Sequence, residues 1–171
     1  MRAIVCLPFL LSVAACSAEV TPPAAPPGAV LDVNATMVKA VDGDTIDVVV
    51  YTPDGTRHER VRLIGIDTPE TKKPNTPVQC WGPEASANTA AMLPPDTPLH
   101  LERDVEARDP YDRLLAYVYL TDGRFVNLDI VSAGFARPLR IEPNTAHAGE
   151  FAAAARDAEA ADRGLWGACS G

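Results

Sequence analysis

The ten residues RLIGIDTPET, Arg62 to Thr71, join the pattern of a buried strand to an unusual polar ending. Branched apolar residues follow the cation, as in a β-strand, and two carboxylates and two hydroxyls then surround a proline. A strand with only a structural role is usually followed by turn residues such as Asn-Gly or Pro-Asp-Gly. The polar residues therefore indicate a functional site at the end of this strand.

Gly65 lies between the cation and the first acid of this stretch. Arg62 and Asp67 are five residues apart, so on a straight strand their side chains point to opposite faces. Both reach one ligand only if the strand bends between them, and a glycine is a favourable place for a bulge or kink. If Arg62 and Asp67 serve one site, we therefore expect a bend at Gly65.

Short apolar strands dominate the first half of the domain, and helical patterns come later. Two strands lie within 32–52, and the others lie within 56–66, 97–106 and 112–128; helices are predicted over 82–93, 126–133 and 147–164. Turn residues separate the strands, as at Asp42-Gly43 and Pro53-Asp54-Gly55. This order predicts an α+β fold, a five-stranded OB-fold β-barrel that carries three α-helices.

The first fifteen residues, MRAIVCLPFLLSVAA, have the pattern of an export signal and are too short for a stable transmembrane helix. Val13 to Cys16 resembles the bacterial lipoprotein signal, in which cleavage leaves the cysteine as the lipidated first residue. We expect a lipoprotein on the outer face of the cell membrane; cleavage after Ala18, which gives a secreted protein, is the alternative. Residues 16–31 form a Pro/Ala-rich spacer, and 32–171 form the folded domain.

The chain contains four cysteines. Cys6 is removed with the signal, and Cys16 is used if it is lipidated. Cys80 and Cys169 remain in an oxidising compartment, so a disulfide between them is the natural pairing. Zinc binding is the alternative, and two isolated cysteines with no adjacent histidine fit it poorly.

The formal net charge of −8 excludes a protein that binds nucleic acid through its overall field. A site for a polyanion must be a local cationic patch or must contain a metal ion. Two sets of charged residues meet these conditions: the acids Asp42, Asp44, Asp67 and Glu70, and the cations Arg62 and Arg113. Clustered oxygen ligands bind hard cations such as Ca²⁺, and arginines bind phosphate oxygens.

Five motifs follow one another along the chain: VDGDT, IDTPET with Arg62 before it, GPEAS, DPYDRLLAY, and VN before a helix. In this order they resemble the staphylococcal (thermo)nuclease family, from about Val33 to Trp166. The resemblance implies a calcium-dependent phosphodiesterase that acts on DNA and RNA as a monomer. A narrow cleft favours single-stranded substrate, since it accommodates an isolated backbone.

The resemblance also assigns a role to each acid of the site. Asp44 and Asp67 are expected to bind Ca²⁺ through their side chains, and Thr68 through its backbone carbonyl. Glu70 is expected to act as the general base on the attacking water.

The cationic side of the site is assigned in the same way. Arg62 and Arg113 are expected to bind the scissile phosphate and to stabilise the charge of the transition state. Asp109 and Tyr111 are expected to be further substrate contacts. Tyr111 lies two residues from Arg113, which places both on one strand face if the strand is regular.

One loop departs from the family pattern. The type member has two substrate-flanking tyrosines after its second helix, where this chain reads FARPLRIEPNT without a tyrosine. Arg137 and Arg140 are the candidates to replace them as substrate contacts. The alternative is that both are surface arginines or form a salt bridge to the last helix.

Two functions of other classes compete with a nuclease. One is a catalytically weak, nucleic-acid-binding OB-type surface lipoprotein, and the other is a barrel that binds a sugar or peptide. Binding modules of this type typically lose acids or arginines from the site, whereas this chain keeps Asp44, Arg62, Asp67, Glu70 and Arg113. The retained set favours an enzyme.

Overall fold

The computed structural model describes residues 31–72 and 76–169. Its elements in chain order are β1 (Ala35–Ala40), β2 (Thr45–Thr52), β3 (Gly55–Leu63), β4 (Ile66–Asp67), α1 (Gly82–Met92), β5 (Pro98–Glu102), β6 (Leu114–Leu120), α2 (Val126–Ser132), β7 (Arg137–Pro138), α3 (Ala148–Ala160) and α4 (Leu165–Ala168). The predicted signal, the lipidation site Cys16 and the spacer up to residue 30 lie outside the described residues. Within those residues, none of the helices has the length and apolar character needed to cross a membrane.

Five strands close into a barrel in the order β1-β2-β3-β6-β5, with β5 pairing back to β1. All neighbours are antiparallel except β3 and β6, which are parallel. Buried apolar residues of these strands form much of the core, among them Met37, Ile46, Val48, Val61, Leu63, Leu99 and Val118. Full burial of each such side chain stabilises the fold by about 1.5–3 kcal/mol. The predicted α+β fold with a five-stranded OB-type barrel is confirmed.

The third predicted strand is interrupted between β3 and β4, at Gly65. Gly65 has φ +82°, a conformation that strains other residues. A Cβ at this position would lie 2.2 Å from the ring of Phe151 in α3. The predicted bend is confirmed, but the third strand does not continue through it: β4 leaves the barrel and pairs with β7 in a separate two-stranded sheet that was not predicted.

Asn127, buried at the start of α2, holds this break in place. Its amide nitrogen donates to the carbonyl of Ile64 at 2.9 Å. Its amide oxygen accepts from the backbone N–H of Val118 in β6, also at 2.9 Å. Both groups are buried, so the side chain satisfies backbone atoms that would otherwise lose their hydrogen bonds.

Two of the predicted helices begin and end close to the expected residues. Pro83 lies in the first turn of α1, where its missing N–H is not needed, and α2 stops before Gly134. The third prediction was too long, because α3 ends at Ala160 and a short fourth helix, α4, follows. Asp162 and Gly164 have positive φ, +49° and +54°, so the backbone leaves the helical conformation before the predicted end. Gly164 also lies against the segment after α2, since a Cβ there would lie 2.2 Å from the carbonyl oxygen of Gly134.

Cys80 and Cys169 form a disulfide with an S–S distance of 2.08 Å and a sequence separation of 89. It joins the segment before α1 to the residue after α4. The predicted pairing is confirmed, and because both sulfurs are bonded to each other, the zinc alternative is wrong.

Candidate active site

An open cleft of about 640 Å³ gathers most of the predicted site residues. It is lined by Asp42, Asp44, Thr45, Arg60, Arg62, Asp67, Thr68, Pro69, Glu70, Lys72, Tyr111 and Arg113. Among these described residues, four carboxylates face four cations. The wall of the cleft is therefore formally neutral, in contrast to the charge of −8 on the whole chain. An anion therefore meets less repulsion at this cleft than the net charge of the chain would give.

Asp44 connects the β1–β2 turn to the segment that follows β4. Asp44 is buried, with 7% of its surface exposed. Its Oδ2 accepts hydrogen bonds from the backbone N–H of Thr68 at 2.9 Å and from the Thr68 hydroxyl at 3.1 Å. The Thr45 hydroxyl donates to Oδ1 at 3.2 Å. A buried carboxylate is costly unless it is paired and hydrogen-bonded, and these donors together with Arg62 meet that condition.

Arg62 joins the two predicted metal-binding aspartates. Its Nη2 lies 3.2 Å from Asp44 Oδ2 and 3.5 Å from Asp67 Oδ1. Nη1 donates to the carbonyl of Leu63 at 2.6 Å, and the side chain is only 13% exposed. The bend at Gly65 thus brings Arg62 and Asp67 to the same face, as the sequence predicted.

Glu70 lines the cleft, and its carboxylate turns back towards its own segment. Oε1 accepts from the backbone N–H groups of Thr71 and Lys72, each at 2.8 Å. The ammonium group of Lys72 in turn donates to the carbonyl of Val41 in the β1–β2 turn. These contacts give the carboxylate a defined orientation at the edge of the cleft.

Arg113 is oriented by Asp109 through a short ion pair. Its Nε lies 2.6 Å from Asp109 Oδ2, and Asp109 Oδ1 accepts from the backbone N–H groups of Tyr111 and Arg113, each at 2.9 Å. Burial raises the pKa of the Asp109 carboxyl, but the hydrogen bonds and charge of Arg113 and the hydrogen bond from Tyr111 together outweigh it, so the pKa lies below its ordinary value. Asp109 therefore positions Arg113; its predicted contact with substrate stays a prediction.

The premise that Tyr111 and Arg113 lie on one face of a regular strand was wrong. Residues 109–112 form a turn, and β6 begins only at Leu114, so Tyr111 and Arg113 are not neighbours on one strand face. They nevertheless meet, because the Arg113 guanidinium lies 5.5 Å from the centre of the Tyr111 ring. Tyr111 is 82% exposed and stands at the mouth of the cleft, where a ligand can reach it.

Arg137 and Arg140 do not line this cleft. Arg137 lies over the indole ring of Trp166, 4.3 Å from its centre. Arg140 is paired with Glu142 at 2.7 Å, and both side chains are largely exposed. The placement therefore favours the alternative of structural or surface arginines over the predicted substrate contacts.

Thr89 is a positioning residue that the sequence analysis missed. It is fully buried in α1, and its hydroxyl donates to the carbonyl of Gly43 at 2.7 Å. This bond fixes the turn that carries Asp42 and Asp44. A buried threonine in an alanine-rich helix is the signal that marks it, but its partner lies 46 positions away in the sequence.

The described ranges contain no group of three or more His, Cys, Asp or Glu side chains arranged to hold a metal ion. The predicted set is smaller: two carboxylates, Asp44 and Asp67, and the backbone carbonyl of Thr68. Both carboxylates pair with one atom, Arg62 Nη2, within 3.5 Å, so the two side chains lie close to each other. An all-oxygen set of this kind fits a hard cation such as Ca²⁺.

Comparison with known proteins bears on these residues. The family described as Staphylococcal nuclease homologue matches residues 60–168. The chain belongs to this family. The matched range includes Arg62, Asp67, Glu70 and Arg113, and it confirms the resemblance that the motifs indicated.

Three relatives resemble this staphylococcal nuclease homologue over most of its domain. The thermonuclease of Staphylococcus intermedius is 42% identical over 128 residues, which cover 75% of this chain and 73% of that protein. The thermonuclease of Staphylococcus hyicus is 38% identical over 130 residues, 76% of this chain and 73% of that protein. Endonuclease YncB of Bacillus subtilis (strain 168) is 39% identical over 136 residues, 78% of this chain but only 62% of that protein.

Proposed function

We propose that this protein is a calcium-dependent nuclease that hydrolyses phosphodiester bonds of DNA and RNA at the outer face of the cell membrane. Its family and its relatives place it among the nucleases, which are hydrolases. The observation that supports the reaction is the meeting of Arg62 and Arg113 with Asp44, Asp67 and Glu70 in one cleft. Arginines that bind phosphate and a carboxylate that accepts a proton are the groups that this hydrolysis needs.

The two arginines bind the phosphate and stabilise its charge. Arg62 is held by Asp44 and by the carbonyl of Leu63, and Arg113 is held by Asp109 through Nε. Both guanidinium groups are therefore oriented before substrate arrives, which lowers the cost of reorganisation as negative charge builds on the phosphoryl oxygens.

Glu70 accepts the proton of the attacking water. As the water oxygen forms its bond to phosphorus, one water proton passes to the carboxylate. The bond from phosphorus to the leaving oxygen of the nucleic-acid backbone breaks, and that oxygen takes up a proton from solvent to become a hydroxyl. The two N–H groups that bind Oε1 hold the carboxylate in position for this transfer.

Asp44, Asp67 and the carbonyl of Thr68 are the residues that would hold Ca²⁺. When bound, the ion would supply positive charge that acts on the phosphate in the same direction as the arginines. Arg62 already neutralises part of the charge of the two aspartates, as its distances to both carboxylates indicate.

A defined oligonucleotide assay tests the proposal. Single-stranded DNA, duplex DNA and RNA are incubated with the wild type in Ca²⁺, and in a calcium chelator with Mg²⁺ added. We expect cleavage in Ca²⁺, fastest on single strands. Glu70→Gln and Arg113→Ala should each lower the rate by about 10²–10³-fold, the effect of losing one such transition-state interaction.

The control is Glu84→Gln, an exposed acid in the first turn of α1 outside the cleft, which should keep wild-type activity. Binding without cleavage by the wild type would favour the nucleic-acid-binding alternative. Full activity with Mg²⁺ in the chelator would contradict the calcium requirement but not the nuclease activity.

The location at the membrane rests on the N-terminal sequence and is tested separately. Exported wild type and Cys16→Ser are compared by detergent partitioning. Lipidation predicts that only the wild type enters the detergent phase, because acyl chains bury apolar surface there. Recovery of both from the aqueous phase would favour secretion.

A further inference from the structure

The backbone of Glu70 is held by one residue outside the cleft, Gln79. The backbone N–H of Glu70 donates to Gln79 Oε1 at 2.8 Å, and the backbone N–H of Gln79 donates to the carbonyl of Glu70 at 2.9 Å. Both backbone polar groups of Glu70 are thus engaged by a single residue. Gln79 itself does not line the cleft.

The start of α1 also packs against this segment. A Cβ on Gly82 would lie 3.1 Å from the carbonyl oxygens of Pro69 and Glu70, and 2.7 Å from Cγ2 of Thr71. The helix start therefore packs directly on the backbone that carries Glu70. The backbone N–H of Gly82 also donates to the carbonyl of Gln79 at 3.1 Å, which ties the glutamine to the helix.

The disulfide anchors Cys80, the neighbour of Gln79, to the residue that follows α4. Cys80 is bonded to Cys169, which directly follows α4. In α4, Leu165 is buried, and its backbone N–H donates to the carbonyl of Gly134 at 2.8 Å. A covalent and hydrogen-bonded path therefore runs from the end of α2, through α4 and the disulfide, to Gln79 and Glu70.

We infer that Gln79, fixed by the Cys80–Cys169 disulfide, is a positioning residue that sets the place of Glu70 in the cleft. The inference rests on the proposed role of Glu70 as the proton acceptor. The geometry of reacting groups has to be held to a fraction of an ångström, and a shift of about 1 Å can cost up to 10²-fold in rate. Arg62 and Arg113 are held by other contacts, so phosphate binding does not depend on Gln79.

Two substitutions at Gln79 separate its hydrogen bond from its bulk. Gln79→Met keeps the length of the side chain but removes the oxygen that accepts from Glu70, and Gln79→Glu keeps an acceptor oxygen. We expect Gln79→Met to lower kcat about 10- to 100-fold with little change in KM, and Gln79→Glu to retain most of the wild-type kcat. The double variant Cys80→Ala/Cys169→Ala should also lower kcat, as Gln79→Met does.

The decisive measurement repeats Gln79→Met and Cys80→Ala/Cys169→Ala in the Glu70→Gln background. If Gln79 acts only through Glu70, its substitution should not lower kcat further once Glu70 is replaced. The residual kcat should then equal that of Glu70→Gln alone. A purely structural role predicts that the losses multiply instead. Multiplied losses, or wild-type kcat in Gln79→Met, would overturn the inference.

Asn34→Ala is the matched control for lost stability. Asn34 also clamps a backbone, since it donates to the carbonyl of Leu101 at 2.9 Å and accepts from its N–H at 2.7 Å, but it precedes β1 and lies outside the cleft. Well below its Tm this variant should keep wild-type kcat. The proposed function is judged by different data: if the wild type cleaves neither DNA nor RNA, that proposal fails, whatever Gln79 does. If the wild type cleaves and Glu70→Gln keeps its activity, the nuclease proposal stands and the inference about Glu70 and Gln79 fails.

Discussion

The carboxylate of Asp44 accepts a hydrogen bond from the backbone N–H of Thr68 at 2.9 Å, across 24 positions of sequence. This contact joins the β1–β2 turn to the segment after β4, so that the residues from both lie in one cleft. The same carboxylate oxygen pairs with Arg62 at 3.2 Å. Asp44 therefore serves both the stability of the site and its proposed metal binding, and the two roles can be separated.

Asp44→Ala should lower both stability and activity, whereas Asp67→Ala should lower activity alone. The pair of Asp44 and Arg62 is mostly buried, and loss of one partner of a buried pair costs about 3–5 kcal/mol. The Asp67 side chain is 59% exposed, so its loss costs no more than about 1 kcal/mol. Urea unfolding and cleavage rates in Ca²⁺ measure the two effects. Equal losses of stability would contradict the assignment of Asp44 as the structural link.

Asp109→Asn should make the stability of the protein less sensitive to acid. Because the folded-state pKa of Asp109 is depressed, its contribution is fully present above the unfolded pKa of about 3.9 and is lost as the pH falls through the folded value. Urea unfolding from pH 7 downwards should therefore show the wild type losing more stability than the variant below about pH 4. Parallel curves for the two proteins would show that the pair with Arg113 contributes nothing to stability.

The double variant Arg137→Ala/Arg140→Ala should bind single-stranded DNA with an unchanged dependence on salt. Neither arginine lines the cleft, and the two side chains contact Trp166 and Glu142 instead. Arg113→Ala is the positive control, since loss of one phosphate contact flattens the log–log slope by about 0.7. Binding is measured in chelator to prevent cleavage. A slope flatter by about 1.4 in the double variant would instead support the substrate role expected from the sequence.

Gly65→Ala should destabilise the protein more than Gly55→Ala. Both glycines have positive φ, +82° and +125°, so both substitutions introduce backbone strain of about 1–3 kcal/mol. Only at Gly65 would the added methyl group also meet a neighbour, the ring of Phe151 at 2.2 Å, whereas nothing lies within 4 Å at Gly55. The difference in unfolding free energy between the variants isolates this contact, and equal values would mean that α3 shifts to admit the methyl group.

The sequence by itself determined the local features of this protein. Strand and helix patterns predicted the barrel and its helices. Once the resemblance assigned Arg62 and Asp67 to one site, their spacing required the bend at Gly65 that the structure contains. The count of cysteines left after export identified the disulfide. These predictions succeeded because each depends on neighbouring residues or on a small number of possible partners.

Only the tertiary structure decided the long-range contacts. It separated β4 from the barrel, stacked Arg137 on Trp166, and placed Gln79 against Glu70. Each of these contacts depends on how distant segments pack and on which way a side chain points. Neither property can be read from a single sequence. Periodicity shows which residues are buried, whereas the partner that a buried or polar group meets is set by the packing of the whole chain.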